Sequence, residues 1–193
     1  MITGIGGSGK TEFAKKIVCL VRSKGKLSLG CCSTGLQTHL YKEFDFQTTH
    51  SLFDITVIED EDDPNAYPEC KIFNKPEKKE MMDQVSAFIW DEALNNNRHC
   101  LELAEVAFYN FSRQLVICFG DEHQIPPVVR NGTIEAIVDA HLFSSPLFMK
   151  FKQFKFTRNL RLIGLHNNIN CKFCFVFSFF LYWVLIIFIC LCM

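Results

Sequence analysis

The chain has 193 residues, a formal net charge of −1 at pH 7 and 49% hydrophobic residues. This length suits one α/β domain with a hydrophobic core, or a domain with an appendage. No N-terminal signal peptide accompanies the ten cysteines, so we expect free thiols in a reducing compartment and not the disulfides of a secreted protein. The charge is unevenly distributed, because no Asp or Glu follows Asp139 and the last third of the chain is basic and then apolar.

The first predicted element is a phosphate-binding loop with the pattern Gly4-x-x-x-x-Gly9-Lys10-Thr11. Its glycines allow consecutive backbone N–H groups to turn towards phosphate oxygens. Lys10 would reach the β- and γ-phosphates, and the hydroxyl of Thr11 would hold Mg²⁺. The predicted nucleotide-binding residues are Gly4, Gly6, Gly7, Ser8, Gly9, Lys10 and Thr11. For this pattern alone, the alternative is a glycine-rich turn.

A helix is predicted after the loop, whereas almost no strand is predicted before it. From Thr11 onwards apolar residues recur at helical spacing, and Gly25 can end the helix. A phosphate-binding loop of this kind follows a strand. Only residues 1–3 precede the first glycine of the loop, so the leading strand lacks support from the sequence.

The next segment predicts a strand, a helix and a long connection. Residues 26–32 form a short apolar run of strand length, and residues 33–35 form a turn. A helix through Leu36 and Leu40 is predicted to follow. Residues 44–79 lack sustained periodicity and contain an acidic run, so we expect a long irregular connection there.

Two later strands are predicted to end in polar residues. Residues 85–90 form an apolar run that is followed by Asp91 and Glu92, and residues 115–119 form another that is followed by the polar residues 120–124. Carboxylates at the end of a buried strand are costly unless a ligand such as a cation uses them. Ligands of open parallel sheets bind at the carboxyl edge of the strands, so this edge is the predicted site.

Two further helices are predicted around these strands. Apolar residues between 98 and 111 recur at helical spacing opposite acidic residues, which predicts an amphipathic helix that covers the sheet. Residues 133–141 predict a short helix. The alternation of strands and helices predicts an α/β P-loop NTPase domain with a mostly parallel sheet.

These residues together form a pattern for hydrolysis of a nucleoside triphosphate. Thr11 and Asp91 are the predicted ligands of a Mg²⁺ ion that binds with the nucleoside triphosphate. Three catalytic residues are predicted. Glu92 would polarise the attacking water, Gln124 would contact the γ-phosphate or that water, and Arg161 would stabilise charge on the transferred phosphoryl group.

Several short motifs recur in the order of one helicase family. They are GIGGSGKT at 4–11, STG at 33–35, TTHSLF at 48–53, IWDEA at 89–93, GDEHQ at 120–124, SSPL at 144–147 and TRNLR at 157–161. With these motifs the chain resembles the Pif1-like ATP-dependent DNA helicases of superfamily 1, including the helicases of Helitron-type elements. The resemblance runs from residue 1 to about residue 162 and covers the first RecA-like domain of that family.

The resemblance implies a RecA-like fold, ATP and Mg²⁺ as cofactors, and 5′-to-3′ unwinding of DNA. It also implies that Thr34, Gly35 and His50 lie near a bound single strand, with single-stranded and duplex DNA as partners. A plain turn at Thr34 and Gly35 and a structural role for His50 are the alternatives. The implied localisation is the nucleus or the mitochondrion, and telomere maintenance, DNA repair, recombination and transposition stay open as cellular roles.

Three parts of the chain are predicted. Residues 1–162 form the helicase domain without most of its leading strand, residues 163–172 form a junction, and residues 173–193 form an apolar, helix-like tail. The family's second RecA-like domain has no counterpart after residue 162. ATP in this superfamily binds between the two domains, so we expect weakened nucleotide binding and no unwinding by this chain alone.

The tail has 21 residues without a charge, which is long enough to span a bilayer. We favour translated intron or shifted-frame sequence over a membrane anchor, because the apolar run begins where the helicase motifs stop. Cys171 and Cys174 have the spacing of metal ligands, but no second Cys/His pair accompanies them, so we interpret them as incidental. The functional hypotheses are therefore a DNA helicase, a non-catalytic nucleotide- or DNA-binding remnant, and a tail-anchored membrane ATPase.

Overall fold

The computed structural model describes residues 1–57, 67–107, 114–129 and 132–161, in which strands and helices alternate along the chain. The strands are β1 (Ile2–Gly4), β2 (Leu27–Cys32), β3 (Gln47–Thr48), β4 (Val85–Asp91), β5 (Leu115–Gly120) and β6 (Phe154–Phe156). The α-helices are α1 (Lys10–Ser23), α2 (Gly35–Thr38), α3 (Thr49–Phe53), α4 (Pro76–Asp83), α5 (Arg98–Ala107) and α6 (Ile134–Ala140). Short 3₁₀ helices cover His39–Phe44, Lys71–Asn74, Ala93–Asn95, Leu142–Ser144 and Pro146–Lys150.

The six strands form one sheet in the order β3-β2-β4-β5-β1-β6, and each neighbouring pair is parallel. This confirms the predicted α/β class with a parallel sheet. Because all the strands run the same way, the residues that follow them meet at one edge of the sheet. The loop after β1 lies at this edge between the ends of β5 and β6.

A short leading strand, β1, precedes the phosphate-binding loop, although the sequence alone offered almost no support for one. The strand has three residues, all of them buried. It pairs with β5 through Ile2 and Thr3, and with β6 through Ile2, Thr3 and Gly4. A strand inside a sheet forms ladder hydrogen bonds on both sides, so even a short segment is held firmly. The partner strands lie more than a hundred residues away in the chain, where inspection of the first residues cannot reveal them.

Both faces of the sheet are covered by hydrophobic cores. Along β4, Ala87 and Ile89 pack in the core that contains α1, whereas Phe88 and Trp90 pack in the core that contains α5. This alternation follows the two-residue period of a strand. Burial on both faces explains why the central strands are continuous apolar runs. Trp90 is fully buried.

The helices predicted after the loop and over the sheet are confirmed. α1 buries one apolar stripe, formed by Phe13, Ala14, Ile17, Val18 and Val21. It ends shortly before Gly25, whose φ of +68° is a conformation that favours glycine. α5 buries Cys100, Leu101, Ala104 and Ala107 against the opposite face of the sheet. The two helices therefore cover opposite faces.

The described parts of the segment 44–79 are more regular than the sequence predicted. It contains β3, α3 and the beginning of α4. β3 pairs with β2 through Gln47 and Thr48, and α3 buries Thr49, Leu52 and Phe53. A strand of two residues and a helix of five are too short to produce a recognisable apolar period. The prediction of an irregular connection is therefore wrong for these parts.

Some predictions concern residues outside the described ranges. These are the acidic run 59–63, the junction 163–172 and the tail 173–193. Within residues 1–57, 67–107, 114–129 and 132–161, no helix has both the length and the apolar character needed to cross a membrane.

Candidate nucleotide-binding site

The predicted phosphate-binding loop connects β1 to α1. Gly7 and Gly9 have φ values of +79° and +89°, which glycine adopts without strain. Gly4 is required for a different reason, because a β-carbon there would lie 2.8 Å from Phe156 Cβ and 2.9 Å from Ser8 Oγ. A β-carbon on Gly6 would meet only Asp121 Oδ2, at 3.9 Å. The glycines thus serve the turn at two positions and close packing against β6 at a third.

Lys10 and Ser8 direct polar groups into this loop. Lys10 is buried, and its Nζ donates hydrogen bonds to the carbonyl oxygens of Gly4 at 2.6 Å and Ile5 at 3.2 Å. The Ser8 side chain is also buried, and its Oγ has no hydrogen-bond partner among the described residues. A buried hydroxyl without a partner is costly, so a ligand with acceptor oxygens would satisfy it.

Asp91 lies at the end of β4, and only 2% of its surface is exposed. Its Oδ2 accepts hydrogen bonds from Thr11 Oγ1 at 3.3 Å and from Tyr41 Oη at 2.5 Å. Its Oδ1 accepts one from the backbone N–H of Glu92 at 3.0 Å. The contact with Thr11 joins residues that are 80 positions apart, and it brings the two predicted metal ligands together.

Glu92 follows Asp91 in a left-handed conformation, with a φ of +53°. Its Oε1 accepts a hydrogen bond from Gln124 Nε2 at 3.4 Å, and its Oε2 has no partner among the described residues. Burial, and then the neighbouring charge of Asp91, raise the pKa of Glu92. A left-handed conformation is uncommon for a non-glycine residue and is often found at functional sites. The structure therefore brings together the predicted catalytic residues Glu92 and Gln124.

The segment after β6 closes over the phosphate-binding loop. Asn159 Nδ2 donates a hydrogen bond to the carbonyl oxygen of Gly6 at 3.1 Å, and the backbone N–H of Leu160 donates one to the carbonyl oxygen of Gly7 at 3.0 Å. A β-carbon on Gly7 would lie 2.8 Å from Asn159 Oδ1 and 3.0 Å from Arg161 Cδ. The side chain of Arg161, the third predicted catalytic residue, therefore passes directly beside the loop.

Three residues of this site were not predicted from the sequence: Tyr41, Asp121 and Asn159. Asp121 is buried after β5, where its Oδ1 accepts a hydrogen bond from the backbone N–H of His123 at 3.0 Å. The polar end of β5 already pointed to this position. Tyr41 and Asn159 reach the site through contacts with distant segments, which no local spacing reveals.

The predicted DNA-binding residues lie towards the β3 end of the same edge. Thr34 and Gly35 are exposed at the start of α2, where the backbone N–H of Thr34 donates a hydrogen bond to Gln37 Oε1 at 3.2 Å. His50 is half-buried in α3, and this burial lowers its pKa. The pairing of β2 with β3 brings the start of α2 near the segment that leads into α3. A β-carbon on Gly35 would lie 4.0 Å from Thr48 Cγ2.

The oxygen atoms around Asp91 fit Mg²⁺, the metal that the sequence predicts. Mg²⁺ prefers oxygen ligands, and proteins usually hold it through one or two side chains together with substrate phosphates. Thr11 and Asp91 supply a hydroxyl and a carboxylate that are in contact. The part of the chain that the structure describes has no group of three His, Cys, Asp or Glu side chains that could hold a metal ion. A metal here would take its other ligands from nucleotide phosphates and water, as is usual for Mg²⁺.

Comparison with known proteins assigns the family. A family model described as PIF1-like helicase matches residues 1–185. The chain belongs to the PIF1-like helicase family. The match continues past residue 162, where the short motifs of the sequence end. No curated protein matches the chain.

Solved structures of Pif1 helicases have the same fold as this PIF1-like chain. Bacteroides Pif1 bound to single-stranded DNA superposes with a TM-score of 0.61 at 24% identity, over 83% of this chain and 38% of that chain. Bacteroides sp Pif1 in complex with ADP-AlF4 superposes with a TM-score of 0.61 at 26% identity, over 83% and 38% of the two chains. Pif1 from Candida albicans gives 0.62 at 21% identity, over 87% and 39%. The PIF1-like chain thus spans well under half the length of these relatives.

Proposed function

We propose that this PIF1-like chain binds ATP with Mg²⁺ and hydrolyses it, as part of a helicase that unwinds DNA in the 5′-to-3′ direction. The observation that carries the proposal is the contact between Thr11 and Asp91, beside a loop that holds Lys10. A phosphate-binding loop and a strand-end carboxylate that meet in this way are the parts that nucleotide hydrolysis requires. The Bacteroides Pif1 complex with ADP-AlF4 supports a nucleotide ligand.

Each residue of the site has a proposed role in hydrolysis. Lys10 and the backbone N–H groups of the loop bind the phosphates, while Thr11 and Asp91 hold Mg²⁺, which neutralises phosphate charge when it is bound. Glu92 accepts a proton from the attacking water, and its raised pKa makes it a better proton acceptor. Gln124, in contact with Glu92, orients that water.

Arg161 is proposed to stabilise the charge that develops on the phosphoryl group. Its aliphatic carbons lie against Gly7, so its side chain begins at the phosphate-binding loop. An arginine in this role contributes strongly to phosphoryl transfer, because its charge acts mainly in the transition state.

Thr34, Gly35 and His50 are proposed to contact single-stranded DNA. Thr34 and Gly35 follow β2, and His50 follows the neighbouring strand β3, so all three lie at the carboxyl edge of the sheet. The phosphate-binding loop lies at the same edge on the other side of Asp91. The Bacteroides Pif1 structure with single-stranded DNA supports this kind of ligand. The chain spans 38% of that relative. For this chain we therefore propose nucleotide binding and hydrolysis only, and we propose unwinding as the activity in which it takes part.

Nucleotide binding and phosphate release test the proposal. Calorimetry would measure ADP binding with Mg²⁺ to the 193-residue chain, and phosphate release from ATP would be followed with and without oligo-dT. We expect weak binding of ADP and slow turnover with little stimulation by oligo-dT, and we expect Glu92→Gln to lower that turnover by roughly 10²- to 10⁴-fold. Glu122→Gln is the matched control, because Glu122 lies close by at the end of β5 but forms an exposed ion pair with Lys155 at 2.7 Å.

The outcomes separate the proposed enzyme from a binding module. ADP binding without any turnover in the wild-type chain would support the nucleotide-binding remnant and contradict hydrolysis by this chain. Absence of ADP binding would contradict the nucleotide site itself. Equal losses of turnover in Glu92→Gln and Glu122→Gln would contradict the proposed catalytic role of Glu92.

A further inference from the structure

Tyr41 is a fully buried tyrosine whose hydroxyl group reaches the predicted metal site. It belongs to the 3₁₀ helix His39–Phe44, and 1% of its surface is exposed. Its Oη donates a hydrogen bond to Asp91 Oδ2 at 2.5 Å, across 50 positions of the chain. Thr11 Oγ1 donates to the same carboxylate oxygen at 3.3 Å. The Asp91 carboxylate is therefore held from two sides by hydroxyl groups.

The ring of Tyr41 is fixed by a stacked partner. The rings of Tyr41 and Phe46 lie 4.1 Å apart between centroids and are 6° from parallel. Phe46 in turn occupies the space beside Gly30 in β2, where a β-carbon would come within 2.0 Å of the Phe46 ring. A glycine in the strand thus makes room for Phe46, and Phe46 stacks on Tyr41.

Because the ring of Tyr41 is held by its stack on Phe46, its hydroxyl group can fix the orientation of the Asp91 carboxylate. A hydrogen bond to a charged carboxylate is stronger than one between neutral groups. Residues that hydrogen-bond to metal-binding carboxylates fix their orientation, and their loss weakens metal affinity. Burial of the tyrosine prevents water from replacing its hydroxyl group at this position.

We propose that Tyr41 is a positioning residue that holds the Asp91 carboxylate ready for Mg²⁺ and so strengthens Mg²⁺-dependent nucleotide binding. This inference rests on the proposed function, because it concerns the same nucleotide site. The role differs from that of Thr11 and Asp91, since Tyr41 acts through Asp91 and does not itself bind the metal.

The test is Tyr41→Phe, which keeps the ring and its stack and removes only the hydroxyl group. Calorimetry would measure ADP binding to the full chain in EDTA and at increasing Mg²⁺ concentrations. In EDTA we expect the ADP affinity of Tyr41→Phe to equal that of the wild-type chain. With Mg²⁺, we expect the concentration needed for half of the Mg²⁺-dependent increase in ADP affinity to rise roughly tenfold. Tyr67→Phe is the matched control, because the Tyr67 hydroxyl contacts Glu102 at 3.2 Å in an exposed position.

A double-mutant cycle separates positioning from a general effect on folding. Asp91→Asn alone should abolish most of the Mg²⁺ dependence, and Tyr41→Phe should then add no further change. Phe46→Leu, which removes the stack but keeps the hydroxyl, should give a smaller shift in the same direction. This second variant tests the proposal even if Tyr41→Phe does not fold.

The possible failures are distinguishable. If wild-type ADP binding does not respond to Mg²⁺, the proposed metal-dependent nucleotide site is wrong, and the role of Tyr41 is wrong with it. If the wild-type chain responds and the Tyr41→Phe titration superposes on it, only the role of Tyr41 is wrong. Equal losses of ADP affinity with and without Mg²⁺ would show a structural effect and would also contradict the inference.

Discussion

The two ends of the sheet's carboxyl edge are built differently. Around the phosphate-binding loop, functional groups are buried and joined by contacts between distant segments, such as Thr11 with Asp91 and Asn159 with Gly6. Around α2, Thr34 and Gly35 are exposed, and the hydrogen bond of Thr34 joins residues only three positions apart. The first region is a preorganised pocket, whereas the second is an accessible surface.

This difference fits the ligands that we propose for each region. Phosphates and a metal ion require fixed oxygen and nitrogen atoms in a partly dry site. A single strand of DNA requires an open surface along which the backbone can lie. The comparison therefore predicts that substitutions in the two regions will separate nucleotide binding from DNA binding.

The largest expected effect on ligand affinity is that of Lys10→Ala on nucleotide binding. Loss of a buried ammonium group that is proposed to contact a phosphate should cost at least about 2 kcal/mol, or roughly a 30-fold rise in the Kd for ADP. Calorimetry would measure the ADP affinity, and fluorescence anisotropy would measure binding to labelled oligo-dT, which we expect to be unchanged. Lys24→Ala removes an exposed lysine beyond the end of α1 and serves as the control. A parallel loss of DNA binding in Lys10→Ala would contradict the separation of the two regions.

Two of the predicted site glycines, Gly7 and Gly35, are expected to differ in their effect on stability instead of ligand affinity. Gly7→Ala forces a β-carbon into a left-handed conformation and against Asn159, which should lower the free energy of unfolding by roughly 2–5 kcal/mol. Gly35→Ala meets only Thr48 Cγ2 at 4.0 Å, so we expect a change within about 0.5 kcal/mol. Urea denaturation would measure both values. Similar losses in both variants would show that the exposed region is as tightly packed as the pocket.

The smallest expected effect is on DNA affinity. Thr34→Ala and His50→Ala should each weaken binding of labelled oligo-dT by roughly two- to tenfold, because each removes at most one or two polar contacts. Fluorescence anisotropy at constant salt would measure this change, and ADP affinity should not change. His39→Ala, an exposed histidine on the same segment, is the control. If Thr34→Ala and His50→Ala both bind oligo-dT like the wild-type chain, the role of this surface in DNA binding is wrong.

Much of the nucleotide pocket could be predicted from the sequence because its parts are marked locally. The glycine pattern marks the loop, and apolar runs that end in Asp91 or in residues 120–124 mark the strand ends. A parallel sheet then brings these ends to one edge without any further information. The central strands and α1 were predicted for the same reason, since their apolar patterns are long enough to read.

The remaining features depend on contacts that no local pattern encodes. β1 is recognisable only through its pairing with β5 and β6, and β3 is too short to have a period. A helix through Leu36 and Leu40 was predicted for the segment that contains Tyr41, yet both leucines are largely exposed. Nothing in that prediction indicated that Tyr41 would be buried beside Asp91. Long-range packing decides these features, and it became visible only in three dimensions.

The common direction of the six strands also divides the molecule by its tolerance of change during evolution. Each of the six strands ends at the carboxyl edge, where the site lies, and begins at the opposite edge. Gly25 lies at this opposite edge, where the chain turns towards β2; its φ of +68° favours glycine, but no atom lies within 4 Å of the position of an added β-carbon. Insertions at such turns lengthen the chain without displacing the pocket. Related chains should therefore vary in length at the amino edge of the sheet and keep their spacing at the carboxyl edge.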